Sequence, residues 1–460
     1  MNTAKAHIKN FGCQMNKLDA ALVAAALKKA GFSLCDDDRA ADVVIINTCS
    51  VRDHAEQKVL SHLGNLKHAK KSRPDLVVAV IGCMAQRLGS QLLEHQAVDI
   101  VCGPAQIPQI TQLIIAALTD RKKFVVVTED IRRSDPNNAA LEDFESLYDS
   151  DDKQIPSQAY VRVMRGCDNF CTYCIVPYVR GPEVSRPPDA IIEQLKRLAG
   201  QGVKLVTLLG QTVNSYQYKA GERTYCLADI LEMAAGIPGI EWLRFITNYP
   251  QQKYFDPICR AMAALPKVCN YLHIPAQSGS DRILKAMNRR YTAAEYLALL
   301  DTARSIIPNI AIAGDFIVGF PGETEDDFQQ TVELVRKALY KNCFVFKYSP
   351  RPGTTADKRL PESVSAEIKQ KRNIELLAVQ ETISAELSAQ FLNKQVTVLV
   401  EGLSKKPHLN KAANRDHPQL VSRTADDWIA VFNGPESLAG KFANVRITKT
   451  SPLTLFAQLL

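Results

Sequence analysis

At 460 residues the chain is too long for one ordinary core, and at roughly 100 to 200 residues per domain it calls for two to four domains. Hydrophobic residues make up 46% and charged residues 23%, which excludes a disordered or fibrous chain. The formal charge of +7 suits a polyanionic partner without establishing one, because surface charge also serves solubility.

The segment MNTAKAHIKNFGC lacks the basic, apolar, small-residue order of a secretory signal, and no apolar run reaches the roughly 18 residues that span a bilayer. A cytoplasmic protein with no membrane contact is expected. Twelve cysteines in a reducing compartment point to metal binding or reactivity, not to a disulfide framework.

In chain order, residues 5–128 alternate short apolar runs with helical stretches: AHIKNF, DVVIIN, LVVAVIG, VDIVC and KFVVV are the strands, with NKLDAALVAAALKKAG the first helix. Such alternation predicts a parallel sheet with helices on both faces. Residues 129–157 carry Pro136, Asn137 and Asn138 and then six acids between Glu142 and Asp152, which reads as a linker. Alternation resumes with YVRVM, VKLVTLLG, WLRFI, NYLHIP, IAGDFIVGF and FVFKYS, six βα-like units that suffice for a partial or complete α/β barrel. A long helix over about 362–392 follows. The end of the chain, with VTVLVEG, DDWIAVFN, FANVRITKTS and LFAQLL, reads as a small β-barrel. The expected architecture is thus α/β and multidomain, with units at 3–120, 153–385 and 388–457.

Cys167, Cys171 and Cys174 form a CxxxCxxC loop directly after YVRVM, at the strand end where α/β barrels build active sites. Three thiolates can hold three irons of a 4Fe-4S cubane and leave the fourth open. Structural zinc is the alternative, but it needs four ligands in paired spacings, and no fourth Cys or His lies near the loop in sequence. Cys13, Cys49 and Cys83 close the runs ending FGC, INTC and IGC, separated by 36 and 34 residues, about one βα unit each. Read as the ends of the first three strands, they would converge in the crevice beyond a parallel sheet's carboxyl edge. Taken singly, each could be a small buried hydrophobe. Cys35, Cys102, Cys226, Cys259, Cys269 and Cys343 share no such pattern and read as structural.

The loop, with an aromatic residue before its third cysteine, resembles the radical S-adenosylmethionine (SAM) superfamily. Seven blocks widen the likeness: FGCQMN (11–16), NTCSVRDHAEQK (47–58), GCMAQR (82–87), RGCDNFCTYCIVPYVRGPEVSRP (165–187), HIPAQSGSDRILKAMNRRYT (273–292), FIVGFPGETEDDF (316–328) and YSPRPGT (348–354). Together they resemble the methylthiotransferases, most closely the MiaB family, over nearly the whole chain.

That resemblance implies a flavodoxin-like N-terminal domain with an auxiliary 4Fe-4S cluster on Cys13, Cys49 and Cys83. It implies a radical SAM α/β barrel, a partial TIM-like barrel, with a second 4Fe-4S cluster on Cys167, Cys171 and Cys174. It also implies a C-terminal TRAM-like barrel that grips RNA. SAM would serve twice: one molecule methylates a sulfur at the auxiliary cluster, another yields the 5′-deoxyadenosyl radical that takes hydrogen from C2 of an N6-isopentenyl (dimethylallyl) adenosine beside the anticodon of tRNA. A sulfur donor and an electron donor are further implied partners, with a monomer as the expected state. By the same likeness Tyr173, Gly319, Gly322, Gln211 and Arg186 are SAM-pocket residues. Gly-Phe-Pro-Gly could equally be an ordinary turn.

Departures accompany the likeness. Thr212 stands where the family has Asn, Tyr249 where it has His, and an extra stretch at 406–419 interrupts the TRAM pattern. From Phe391 onward nine Lys or Arg face five Asp or Glu, a surplus that favours phosphate contacts. The competing readings are methylthiolation of a ribosomal-protein aspartate, methylthiolation of threonylcarbamoyl-adenosine in tRNA, and a non-catalytic iron–sulfur carrier. Against the first stands Gln14-Met15-Asn16, where that class has Pro-Lys after the cysteine.

Overall fold

The apolar runs of the N-terminal third become six parallel strands: β1 (Lys5–Phe11), β2 (Ser33–Leu34), β3 (Val43–Thr48), β4 (Val77–Gly82), β5 (Ile100–Cys102) and β6 (Phe124–Val126). Their order is β2-β1-β3-β4-β5-β6, the flavodoxin-like order with one strand added. In this computed structural model the described residues are 4–50, 53–129, 131, 139–148, 157–405 and 417–460. Strands β3 and β4 are buried at every position because helices cover both faces, which is why they read as unbroken apolar runs. Each such Val or Ile contributes about 1.5–3 kcal/mol by leaving water.

Two corrections follow in this region. A two-residue strand, β2, lies between the first and second predicted strands in sequence, so Cys13, Cys49 and Cys83 follow β1, β3 and β4 and not the first three strands. Because β2 sits at the sheet edge, β1, β3 and β4 are still neighbours and convergence is preserved. The expected linker falls partly outside the described residues, but within it a helix, Ala139–Glu145, is formed and packed, with Leu141, Phe144 and Tyr148 buried. Its acids are ion-pair partners and not a solvated charge run: Glu142 pairs with Arg186 and Glu145 with Arg162.

The barrel strands are β7 (Gln158–Arg162), β10 (Leu205–Leu209) and β13 (Trp242–Phe245) in one parallel sheet and β14 (Tyr271–His273), β15 (Ala311–Val318) and β16 (Asn342–Lys347) in another. A parallel bridge between Leu243 and Val268 joins them. All six predicted units are present, and among the described residues β7 and β16 do not pair, so the barrel is partial. Two short pairs decorate it: β8 (Met164–Arg165) with β9 (Val184–Ser185), and an exposed hairpin of β11 (Gln217–Ala220) and β12 (Arg223–Cys226). The long helix spans Ala366–Ala389, capped by the Ser365 hydroxyl, which accepts from Ile368 N.

The C-terminal strands β17 (Gln395–Leu403), β18 (Gln419–Thr424), β19 (Ile429–Asn433), β20 (Phe442–Thr450) and β21 (Thr454–Leu459) close into a five-stranded barrel in the order β17-β18-β19-β21-β20. β18 was absent from the sequence reading. It begins at the end of the extra stretch at 406–419, of which 406–416 lie outside the described residues. No helix among the described residues is long and apolar enough to cross a membrane.

Candidate active site

The CxxxCxxC loop is held shut at its base by the β8–β9 pair, which joins its two ends. Gly166 enters the loop at φ +75°, and a Cβ there would land on the Pro182 carbonyl oxygen, so only glycine fits. Cys167 N donates to Gly181 O at 3.1 Å. The far side is stitched to the segment after helix Asp281–Ala286: Thr172 N donates to Met287 O at 3.0 Å and the Asn288 amide to Phe170 O at 3.0 Å. Cys167 and Cys171 are buried and Cys174 is half-buried.

Two donors face these thiols. Asn169 Nδ2 lies 3.4 Å from Cys167 Sγ, and an Arg289 guanidinium nitrogen 3.4 Å from Cys171 Sγ. Arg289 is clamped between the rings of Tyr249 and Tyr291, 4.3 and 5.0 Å from their centroids, and donates to Tyr291 Oη at 2.7 Å. Burial pushes the thiols of Cys167 and Cys174 up, and for Cys174 the charges of Cys171 and Cys167 add to it. Such thiols ionise when a metal takes the charge.

At the sheet's carboxyl edge, Cys13 caps helix Gln14–Lys29, Cys49 follows β3, and Cys83 opens helix Cys83–Leu88. Asn16 organises their loops. Its Nδ2 donates to Asn47 Oδ1 at 2.9 Å and Thr48 O at 2.8 Å, its Oδ1 accepts from Cys13 N at 3.3 Å, and Asn47 Nδ2 donates to Asn16 O at 2.7 Å. Gly82, at φ +96°, lets β4 pass Thr48, whose carbonyl oxygen a Cβ would meet at 2.6 Å. The thiol of Cys13 is pulled down to about 6, first by a hydrogen bond with Cys49, with Arg180 adding to it against the effect of burial. Burial raises Cys83, opposed by Arg180. Burial likewise drives Cys102 up to about 12, and Cys259, Cys269 and Cys343 to about 12, 11 and 12, so the direction of the shift does not by itself separate these thiols from Cys83, Cys167 and Cys174.

Cys83 packs with Ile175 and Val179, on the stretch that follows Cys174, so the N-terminal sheet meets the cysteine loop's own continuation. No group of three or more His, Cys, Asp or Glu placed to hold a metal ion occurs among the described residues. A cubane takes one thiolate per iron, so its ligands stand farther apart than those of a single ion. Two sets of three thiols, each on glycine-shaped loops, have the donor chemistry that 4Fe-4S groups require.

The other predicted pocket residues divide. Tyr173 packs half-buried against the cluster of Phe320 and Tyr348. Gly319 and Gly322 have φ of +72° and +80°; Gly319 N donates to Glu323 Oε1 at 2.8 Å, and a Cβ on Gly319 would run into Lys369. Gln211 Oε1 is buried with no hydrogen-bond partner among the described residues, an unspent acceptor just after β10. Arg186 is committed elsewhere: its guanidinium pairs with Glu142 and donates to Arg162 O at 2.6 Å and Gln194 Oε1 at 2.9 Å, tying helix Ala139–Glu145 to the barrel. Of the departures, Thr212 donates to Glu183 Oε1 at 2.6 Å, and Tyr249 supplies one face of the Arg289 clamp. Arg180, Arg289 and Glu183 all sit inside the quoted blocks, yet their roles depend on partners distant in sequence that no local pattern shows.

Residues 161–335 match the radical SAM superfamily, and residues 5–103 match uncharacterized protein family UPF0004. The fold is also that of a solved radical S-adenosylmethionine methyltransferase, TsrM, from Kitasatospora setae, with a TM-score of 0.51 at 13% identity over 77% of each chain. Fold, cysteine loop and superfamily match define a radical SAM enzyme, a class that implies a 4Fe-4S cluster and SAM. Curated relatives named tRNA-2-methylthio-N(6)-dimethylallyladenosine synthase align end to end. The Rhodopirellula baltica protein is 40% identical over 99% of this chain and 96% of its own, and that of Thermoanaerobacter sp. 41% identical over 99% and 92%. The Bacteroides fragilis protein is 39% identical over 98% and 94%. The chain belongs to the tRNA-2-methylthio-N(6)-dimethylallyladenosine synthase family.

Proposed function

We propose that the chain methylthiolates C2 of N6-dimethylallyladenosine beside the anticodon of tRNA, with one 4Fe-4S group on Cys167, Cys171 and Cys174 and a second on Cys13, Cys49 and Cys83. The observation that carries this reading is the packing of Cys83, from the N-terminal sheet, against Ile175 and Val179 on the stretch that follows Cys174. When bound, the first group supplies the electron that cleaves SAM to a 5′-deoxyadenosyl radical, and the second presents the sulfur that is methylated and transferred. The chain's own residues prepare the site. Arg289, dry between two tyrosines, holds Cys171, and Gln211 offers an unspent acceptor to SAM. Tyr173, beside Phe320, and the open-backbone turn of Gly319 and Gly322 would contribute to the same cofactor site. For RNA, Lys394, Lys441, Arg446 and Lys449 stand exposed along β20 and the start of β17, a stripe suited to phosphates.

Mass spectrometry of tRNA nucleosides from cells lacking the gene tests the reading. Loss of the 2-methylthio group with accumulation of dimethylallyladenosine is expected. Unchanged tRNA together with a lighter ribosomal protein would overturn it in favour of the aspartate-modifying class. Reconstituted protein that holds clusters yet yields no 5′-deoxyadenosine from SAM under reduction would favour the carrier.

A further inference from the structure

A buried ionic chain leads from Cys83 across the junction between the N-terminal sheet and the barrel. Arg180 follows Cys174 by six residues, at the end of the short helix Val176–Val179, and belongs to the barrel's own loop. Its side chain is only 6% exposed. Arg180 does not point at the neighbouring triad of its own loop: Nε donates to Cys83 Sγ at 3.3 Å, in the N-terminal sheet. Its other end donates to Asp19 Oδ2 at 2.9 Å, on the helix that Cys13 caps. Asp19 also takes Arg162 from β7, and Arg162 pairs with Glu145 at 3.0 Å. The two arginines and two carboxylates balance, and the chain is oriented with its positive end against Cys83.

We propose that Arg180 is a positioning residue that sets the reduction potential of an iron–sulfur group on Cys13, Cys49 and Cys83. This rests on the reading of those cysteines as cluster ligands. Reduction adds one electron and no proton to a group already made negative by three thiolates, and hydrogen bonds and charge at the sulfurs shift its potential. A fixed cation donating to a ligand sulfur, shielded from water, favours the reduced form, and Asp19 behind it tempers that effect. The cation comes from the radical SAM loop, so the N-terminal centre has its working potential only while the sheet is docked on the barrel.

The test uses full-length protein in which Cys167, Cys171 and Cys174 are alanine, so that only the N-terminal triad can be loaded. Its potential is read by electron paramagnetic resonance during titration with dithionite. Arg180→Gln is expected to lower the ratio of reduced to oxidised centre at least tenfold at a given potential, a negative shift of about 59 mV for one electron. Arg180→Lys retains most of the wild-type value. Asp19→Asn, which leaves the cation untempered, shifts it positive. A residue serving only to dock the two domains would move Arg180→Gln and Asp19→Asn the same way, through loss of cluster; shifts of one sign, or none, would overturn the proposal. If Arg180→Gln does not fold, the sign given by Asp19→Asn decides the question. Absence of any iron–sulfur signal or bound iron in the parent protein would instead overturn the reading of Cys13, Cys49 and Cys83, and the proposal with it.

Discussion

At the scale of single residues, the placement of the six cysteines after strands, and of the turns at the glycines beside them, was legible because it is local. A thiol at a strand end and a glycine where the chain turns back follow from spacing and backbone freedom alone. Two predictions belong here. Gly166→Ala places a methyl group on the Pro182 carbonyl at a positive φ, with a cost of about 3 kcal/mol and a displaced Cys167. Bound iron should fall and the thermal midpoint drop, while a Gly200→Ala control, whose Cβ meets nothing within 4 Å, changes neither. Cys13→Ala should leave SAM cleavage to 5′-deoxyadenosine intact and abolish sulfur insertion, whereas Cys171→Ala abolishes cleavage. Both losses falling on one step would refute the division of labour between the triads. Arg180, Arg289 and Asn16 were not legible in this way. Their partners lie 97, 118 and 31 residues away, and no local pattern announces a contact of that range.

At the scale of elements, legibility tracked burial. The six barrel strands stood out because helices cover their outer face, and β3 and β4 because both faces are covered. What the sequence concealed was short or exposed. β2 has two residues, β11 and β12 carry polar, solvent-facing side chains, and β18 (QLVSRT) joins the C-terminal barrel through a Ser and a Thr that are buried without being apolar. Helix Ala139–Glu145 was hidden by its acids, whose arginine partners come from β7 and from the loop end at Arg186. The charge count of the last domain was similarly too coarse, since Arg423 is spent on Glu401 and Asp427. Among the described residues the exposed cations of this domain are Lys405 and, on or beside β20 and the start of β17, the four Lys394, Lys441, Arg446 and Lys449. Replacing all four with alanine should weaken tRNA binding without altering SAM cleavage. Each lost phosphate contact should also flatten the plot of log affinity against log salt by between about 0.7 and 0.9. An unchanged slope would locate the RNA contacts elsewhere.

At the scale of the whole molecule, the C-terminal barrel closes the end of the half-barrel opposite the cysteine loop. The turn between β18 and β19 inserts Asp427 among two cations of the half-barrel and one from β18 itself. Arg244 on β13 pairs with it at 2.9 Å, Lys341 just before β16 at 3.5 Å, and Arg423 beside it at 3.0 Å. Glu401 meets Gln158, the first residue of β7, at 3.4 Å, and Trp242 meets Phe442 edge-on. Asp427→Ala would leave Arg244 and Lys341 buried and uncompensated, a loss of about 3–5 kcal/mol. Acid should undo the same contact in a defined window. Burial opposes the charge of Asp427, but Lys341, Arg244 and Arg423 outweigh it, so its folded pKa lies below the unfolded value of about 4. Its stabilisation is then complete above about pH 4 and lost only as pH falls through the lower folded value. The two tryptophans of the chain, Trp242 and Trp428, both flank this contact, so their fluorescence reports it directly. Emission should hold constant from pH 7 to about pH 4 and change below that; in Asp427→Asn the change attributable to this carboxyl should vanish. A transition centred above pH 5 would mean that another group governs the junction.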